Sequence, residues 1–463
     1  MRDLRVRRHA AGRGGAGGAA LAALVIAAAC SGHGNAASTA SRPVAGGACG
    51  RRPAYARPSP TRPRYRLDVR IPARGQVTGT LAAVFTPDLP TGRLVFRLWP
   101  NGPRQAGEGS HLAVSDVRLA DRPAATSLPD PTTLVVRGGH PFAAGAPVRV
   151  SMRFRLRVPA GVVDRLARVG GSVRLGSFYP ILPWEAGVGW DLDPPTTSLA
   201  ETSSSPAADY TVRLHVPAGT TAIATGEPAG GGIWRARAVR DFAVGVGHFE
   251  TATATAQAPR PVRVVVGVDA GMSLRPEPVA AEVANDLGVL ASRFGSYPWP
   301  SLRVAVLPDL KEVGIEYPAM IFLGADTAGE LTRHEVAHQW FYSLVGNDQA
   351  RDPVLDEGLA TYAMGPPLVH IPVSPAFLRR TGRPMSVWDR GPYRAYQLGV
   401  YIDGARAVRS LGPHRLADCA LRAYVARNAY GIATQAGFVG AVASVVPSAP
   451  RRLARFGIPA GHG

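Results

Sequence analysis

Two histidines four residues apart, His334 and His338, flank Glu335, and a second glutamate, Glu357, follows after eighteen intervening residues. On an α-helix the first spacing sets both imidazoles on one face, one turn apart, within reach of a single metal ion. Two imidazoles and one carboxylate leave a fourth tetrahedral position open for water, which is the arrangement of a catalytic rather than a structural zinc site. Glu335 would stand beside that water, placed to take its proton and return it to a leaving amine. The plainer reading is a solvated helix on which His and Glu fall together by chance. The joint spacing of all four residues argues against it.

The elements follow from that demand. For Glu357 to reach the metal, the stretch TRHEVAHQWFYSLVGNDQARDPVLDEGLATY must form a helix, a loop that turns at Asp352–Pro353, and a second helix. Upstream of it, PVRVVVGV and the alternation of Leu302, Val304 and Val306 read as strands, and VGIEYPAMIFL as another. Between the first two lies a helical period of Val279, Val283, Leu287, Leu290 and Phe294, stopped by Gly295. From Glu330 helical patterns dominate. Residues 257–463 are therefore expected to form a mixed, then helical, catalytic domain.

Residues 64–256 have a different texture. Tyr65, Leu67, Val69 and Ile71 alternate with polar residues, as do Leu94, Phe96 and Leu98, and Tyr210, Val212, Leu214 and Val216. In VRVSMRFRLRV six apolar residues share one face and Arg149, Ser151, Arg153, Arg155 and Arg157 the other, which predicts a half-buried antiparallel strand with a solvated arginine face. The fold class is multidomain α+β, with an N-terminal antiparallel β domain ahead of the catalytic one. A chain of 463 residues is too long for one ordinary core, which agrees with two domains.

The formal charge of +19 is carried almost wholly by arginine, with Lys311 the single lysine. The arginines are spread along the chain, with no compact cluster interleaved with aromatics, so no nucleic-acid partner is expected. Attraction to an anionic membrane or cell wall stays open. Residues 1–29 have the form of a secretory signal: Arg2, Arg5, Arg7, Arg8 and Arg13, then an apolar run of small residues, too short for a comfortable membrane span. The run ends at Cys30, placed for lipidation. The protein is therefore expected outside the cytoplasm, on the outer face of the cell membrane or otherwise secreted. Residues 30–63, rich in Ala, Gly, Ser, Pro and Arg, read as that anchor cysteine and a disordered linker. A Cys49–Cys419 disulfide is allowed by export, and two free thiols are the alternative.

The segment from His334 to Tyr362 resembles the zinc-binding segment of the aminopeptidase N family of gluzincin metallopeptidases. VGIEYPAMIF resembles the family's exopeptidase segment, usually GxMEN or GGMEYP, and VYIDGARAVRSLG the segment with its catalytic tyrosine. AYVARNAYGIAT resembles the stretch that follows. GRLVFRLWPN and SPAADYTVRLHVPAG resemble strands of the family's saddle-shaped N-terminal domain. The resemblance implies a thermolysin-like catalytic domain, one Zn2+ held by His334, His338 and Glu357, and Glu335 as general base. It implies Tyr401 as the oxyanion donor, Glu316 gripping the substrate's free α-amine, and Gly314 lining the substrate. The implied activity is removal of N-terminal residues from peptides. Three departures stand against it. Val313, Ile315 and Tyr317 replace the usual Gly, Met and Asn around Glu316. No FxCxDEP-like segment, which in the family helps build a second anchor for the amine, is present; SFYPILPWEAGVGW takes its place, with Glu185 as the nearest candidate for that anchor. The chain ends soon after the catalytic domain, which predicts a more open cleft. An endopeptidase, or a zinc-holding surface protein that binds peptides with little turnover, are the alternatives.

Overall fold

The computed structural model describes residues 53–197, 204–327, 330–365, 377 and 379–459. The predicted signal, the lipidation site Cys30 and Cys49 lie outside them.

Period-two sequence becomes an eight-stranded sheet. Its order is Glu227–Pro228, Ile233–Val239, Ala208–His215, Arg64–Arg70, Val77–Phe85, Val148–Arg157, His111–Leu119 and Arg122–Pro123. One face of each central strand is buried and the other exposed, as in Arg64–Arg70 and Val148–Arg157, because successive side chains point to opposite faces. Neighbours are antiparallel except Arg64–Arg70 and Ala208–His215, which run parallel. A parallel pair needs a long crossover, and the chain between these two strands builds four more strands of this sheet and the three-stranded sheet Leu94–Arg97, Thr133–Arg137 and Ala125–Asp130.

The second sheet has the order Phe249–Gln257, Pro261–Asp269, Ser301–Val306, Met320–Leu323 and Gly314–Tyr317. Its first strand, whose Thr–Ala alternation reads like the β domain's, pairs along its whole length with Pro261–Asp269. VGIEYPAMIFL forms a hairpin rather than one strand: Tyr317 pairs with Met320 across Pro318 and Ala319. Ala319 has φ 56°, and proline followed by a positive φ is the signature of a tight turn. Helix α1 (Pro276–Phe294) starts on a proline and stops at Gly295, φ 116°. Helices α2 (Glu330–Ala337) and α3 (Glu357–Met364) follow, then a π-helical turn, Gln397–Ile402, that runs into α4 (Asp403–Arg409). Among the described residues no helix is long and apolar enough to cross a membrane.

The end of the predicted linker is ordered against the catalytic domain. Tyr55 donates its hydroxyl to the Ser296 carbonyl at 2.7 Å, and the Ala56 N–H reaches the Ala426 carbonyl at 2.9 Å. Composition alone misses this because the contact is made by one aromatic ring, packed where a side chain on Gly295 would stand. Cys419, on the neighbouring helix His414–Asn428, is disulfide-bonded.

Two buried or half-buried arginines join the domains. Arg240 reaches the carbonyls of Ser343 at 3.2 Å and Gly431 at 3.0 Å. Arg351 meets Glu185 at 3.2 Å, Asp191 at 3.3 Å, Asp193 at 2.7 Å and Asp348 at 2.9 Å. Within the catalytic domain, α3 and α4 touch backbone to backbone: a Cβ on Gly358 would come within 3.0 Å of the Gly404 Cα. Gly404→Val is therefore expected to destabilise the fold by about 1–3 kcal/mol through overpacking, read as a lower melting temperature by calorimetry. An unchanged melting temperature would refute that close approach.

Candidate active site

The HExxH stretch folds as its spacing predicts. His334 and Glu335 lie on α2, and the His338 N–H bonds to the His334 carbonyl at 3.3 Å, carrying the helical turn past Ala337. The loop that follows returns the chain so that α3 begins at Glu357 beside the two imidazoles. The three atoms converge: His334 Nε2 lies 3.1 Å from Glu357 Oε2, His338 Nε2 lies 3.0 Å from His334 Nε2, and His338 Nε2 lies 3.5 Å from Glu357 Oε2. Ligands at zinc bond lengths sit at the corners of a tetrahedron with edges of about 3.3 Å. The donor set and its spacing therefore fit Zn2+, and His334, His338 and Glu357 can hold it.

Each ligand is set by a neighbour. His338 Nδ1 lies 3.1 Å from the Phe341 carbonyl and 2.6 Å from Asp356 Oδ1, both acceptors, so it carries a proton and Nε2 faces the site. Burial alone would lower the basicity of this ring, but the Asp356 carboxylate raises its pKa well above the ordinary histidine value. Burial lowers that of His334. Burial opposes charge on Glu357 too, yet hydrogen bonds from His334 and His338 hold its carboxyl far below the usual range.

Glu335 is buried, and its Oε2 has no hydrogen-bond partner among the described residues. Burial raises its pKa well above that of an ordinary glutamate. Gly314, expected to line the substrate, borders the same cavity, and its lack of a side chain makes room for Glu335: a Cβ there would overlap the glutamate's Cγ and Cδ. Tyr401, on the π-helical turn, stacks on the His334 ring with centroids 5.8 Å apart and planes 5° apart. Burial first, then the nearby Glu357 charge, raise its pKa well above ten, so it stands as a neutral donor.

Glu316 borders the cavity, with Oε1 engaged by Arg165 Nη2 at 3.2 Å and Gln349 Nε2 at 3.4 Å. Arg165 comes from the β domain, and its Nη1 also reaches the Tyr317 hydroxyl at 3.4 Å. That hydroxyl occupies the place of a side chain on Gly176. Tyr317 is thus matched by Arg165 and Gly176 across the domain boundary. Glu185, the nearest sequence candidate for a second amine anchor, lies in the Arg351 cluster instead. The described residues line a pocket of about 160 Å³ at the site.

Four contributors escaped the sequence. Asp356 adjoins a ligand and could have been suspected for that reason. Gln339 follows His338 and clamps the hairpin turn: its Oε1 accepts from the Ala319 N–H and its Nε2 donates to the Tyr317 carbonyl, both at 2.9 Å. This fixes the Glu316 strand against the metal helix. Arg165 and Tyr393, which lines the cavity, carry no local signal.

His334→Ala is expected to lose stoichiometric zinc. Asp356→Ala is expected to keep the site but weaken zinc by about 10–100-fold, the usual effect of removing a ligand's hydrogen-bond partner. Chelator-competition titrations distinguish the two outcomes, and full-affinity zinc in either variant would refute the corresponding assignment.

No family model matches the chain. Solved structures do. An M1 zinc metallopeptidase mutant from Deinococcus radiodurans superposes with a TM-score of 0.61 at 20% identity, over 85% of this chain and 93% of that one. A mutant of a Deinococcus radiodurans M1 zinc metallopeptidase bound to the substrate Tyr-Ser-Ala gives 0.62 at 20%, over 86% and 94%. A two-domain M1 zinc metallopeptidase mutant bound to L-tryptophan gives 0.63 at 19%, over 86% and 94%. The chain has the two-domain fold of the M1 zinc metallopeptidases.

Proposed function

We propose that the protein is a zinc metallopeptidase that removes N-terminal residues from peptides outside the cytoplasm. The observation that carries this reading is the convergence of His334, His338 and Glu357 within 3.5 Å, with Glu335 and Tyr401 on the same cavity. Bound there, zinc would supply Lewis acidity toward a peptide carbonyl and a water. Glu335 Oε2, buried and without a partner among the described residues, accepts the proton of the attacking water. Its raised pKa lets it keep that proton long enough to deliver it to the departing amine nitrogen. Tyr401 donates its hydroxyl to the oxygen on which negative charge develops. Glu316 pairs with the substrate's ammonium, held in place through Oε1 by Arg165 and Gln349.

Glu316 on the cavity supports this mode over endopeptidase cleavage, since its carboxylate can pair with the ammonium at the end of a peptide. The similar structures with Tyr-Ser-Ala and with L-tryptophan support a peptide substrate and an amino-acid product. Export and a lipid anchor at Cys30, on the outer face of the membrane, rest on the N-terminal sequence.

Glu335→Gln is expected to keep zinc and lose roughly 10²–10⁴-fold in kcat, as for loss of a general base. Gly314→Ala is expected to cost on the order of 10²-fold by displacing Glu335. Glu316→Gln is expected to raise KM about tenfold for peptides with free N-termini only. All three are read by peptide assays with free and acetylated N-termini beside metal analysis. Equal cleavage of both peptide sets would replace the aminopeptidase reading with the endopeptidase one. No cleavage by zinc-loaded protein would favour a peptide-binding role.

A further inference from the structure

The outer face of the eight-stranded sheet has no role in the chemistry above, and its charge is lopsided. On the five adjacent strands from Ile233–Val239 to Val148–Arg157, the exposed face carries ten arginines against two aspartates, Asp68 and Asp209. That excess of eight compares with a total of twelve for residues 53–463, once the eight arginines and one aspartate of residues 1–52 are set aside from the +19. Among the described residues, Arg153 pairs with Asp116 at 3.4 Å and Arg213 with Asp68 at 3.9 Å. The other eight arginines of this face, Arg66, Arg149, Arg155 and Arg235 among them, have no acidic partner there.

A merely solvated sheet face mixes charges of both signs. Here Arg153, Arg155 and Arg157 follow one another on one face of one strand, with only about 7 Å between successive residues. Their mutual repulsion is a cost that folding does not require. The patch is two-dimensional, about 19 Å across five strands and about 27 Å along Val148–Arg157. It holds a groove of about 590 Å³ lined by four arginines, Arg66, Arg153, Arg213 and Arg235, against two aspartates, Asp68 and Asp116. Its exposed positions include no Phe, Tyr or Trp, so it has nothing on which bases could stack.

We propose that this arginine face docks the protein on an anionic phospholipid surface. A broad basic patch matches a plane of headgroup phosphates better than it matches a linear polymer, and guanidinium pairs with phosphate in bidentate fashion. The chain enters this sheet at Arg64, after the linker of residues 30–63 that follows the stretch reading as a membrane leader. The inference does not depend on the zinc site.

The test uses the full chain with Cys30→Ser, so that no acyl group contributes, in co-sedimentation with vesicles of phosphatidylcholine alone and with added phosphatidylserine. The phosphatidylserine vesicles are expected to bind at least ~10-fold more tightly, with the difference fading as salt is raised. Replacing Arg66, Arg155 and Arg235 together by serine is expected to abolish that preference, at up to about fivefold per arginine, with thermal melting unchanged. Equal partition to both vesicle types, or an undiminished preference in the triple variant, would overturn the proposal. So would tighter binding to oligothymidylate than to the anionic vesicles at the same salt, which would assign the face to a nucleic-acid polymer.

Discussion

Two imidazole nitrogens and a carboxylate oxygen are held within 3.5 Å of one another, away from water. Nothing in a polypeptide favours that arrangement by itself, so the surroundings must enforce it. Asp356 and the Phe341 carbonyl orient His338 from behind. The helix of His334 is tied to α1 by Arg333, whose Nε meets Asp286 at 2.8 Å. Glu357 is delivered by a helix whose first turn lies against α4 at a glycine pair. The same contact brings the π-helical turn, and with it Tyr401, over the ring of His334. A bulkier residue at Gly358 or Gly404 would part Glu357 from Tyr401, so the pair of glycines belongs to the site as much as the residues that line it do.

The β domain also forms part of the active-site wall. The strand that bears Gly314 and Glu316 is an edge strand, held on one side by its hairpin partner. Gln339 grips its turn from the metal helix, and Arg165 grips Glu316 and Tyr317 from the other domain. Glu316 therefore presents a carboxylate whose charge is already partly balanced. Under the proposed function, a substrate ammonium would meet a softer electrostatic trap than an unpaired glutamate offers, and geometry would contribute more of the discrimination. Because Arg165 is nearly inaccessible and its planar fork bonds two partners at once, lysine could not substitute for it.

Arginine serves three different purposes in this chain. Buried, as at Arg165 and Arg240, it satisfies acceptors across the domain boundary. Half-buried, as at Arg351, it holds four carboxylates together. Exposed, on the outer sheet face, it is left uncompensated. A count of net charge merges the three, and only burial and pairing separate them.

Sequence by itself determined whatever depends on local periodicity. The alternation of Val148–Arg157 named its buried face, and the i, i+4 histidines named a shared helix face, because backbone geometry translates such spacings directly. Eighteen residues and a proline turn made the return of Glu357 legible as well. Resemblance supplied Tyr401 and Glu316. Tertiary structure decided everything that depends on residues distant along the chain: Arg165 opposite Glu316, Glu185 drawn to Arg351, Tyr55 ordered in a stretch that composition reads as linker, and strand Phe249–Gln257 assigned to the second sheet. It also decided that Gly314 yields space to Glu335. No periodicity encodes such contacts, since they arise only when separate elements pack and each side chain takes the nearest partner that satisfies it.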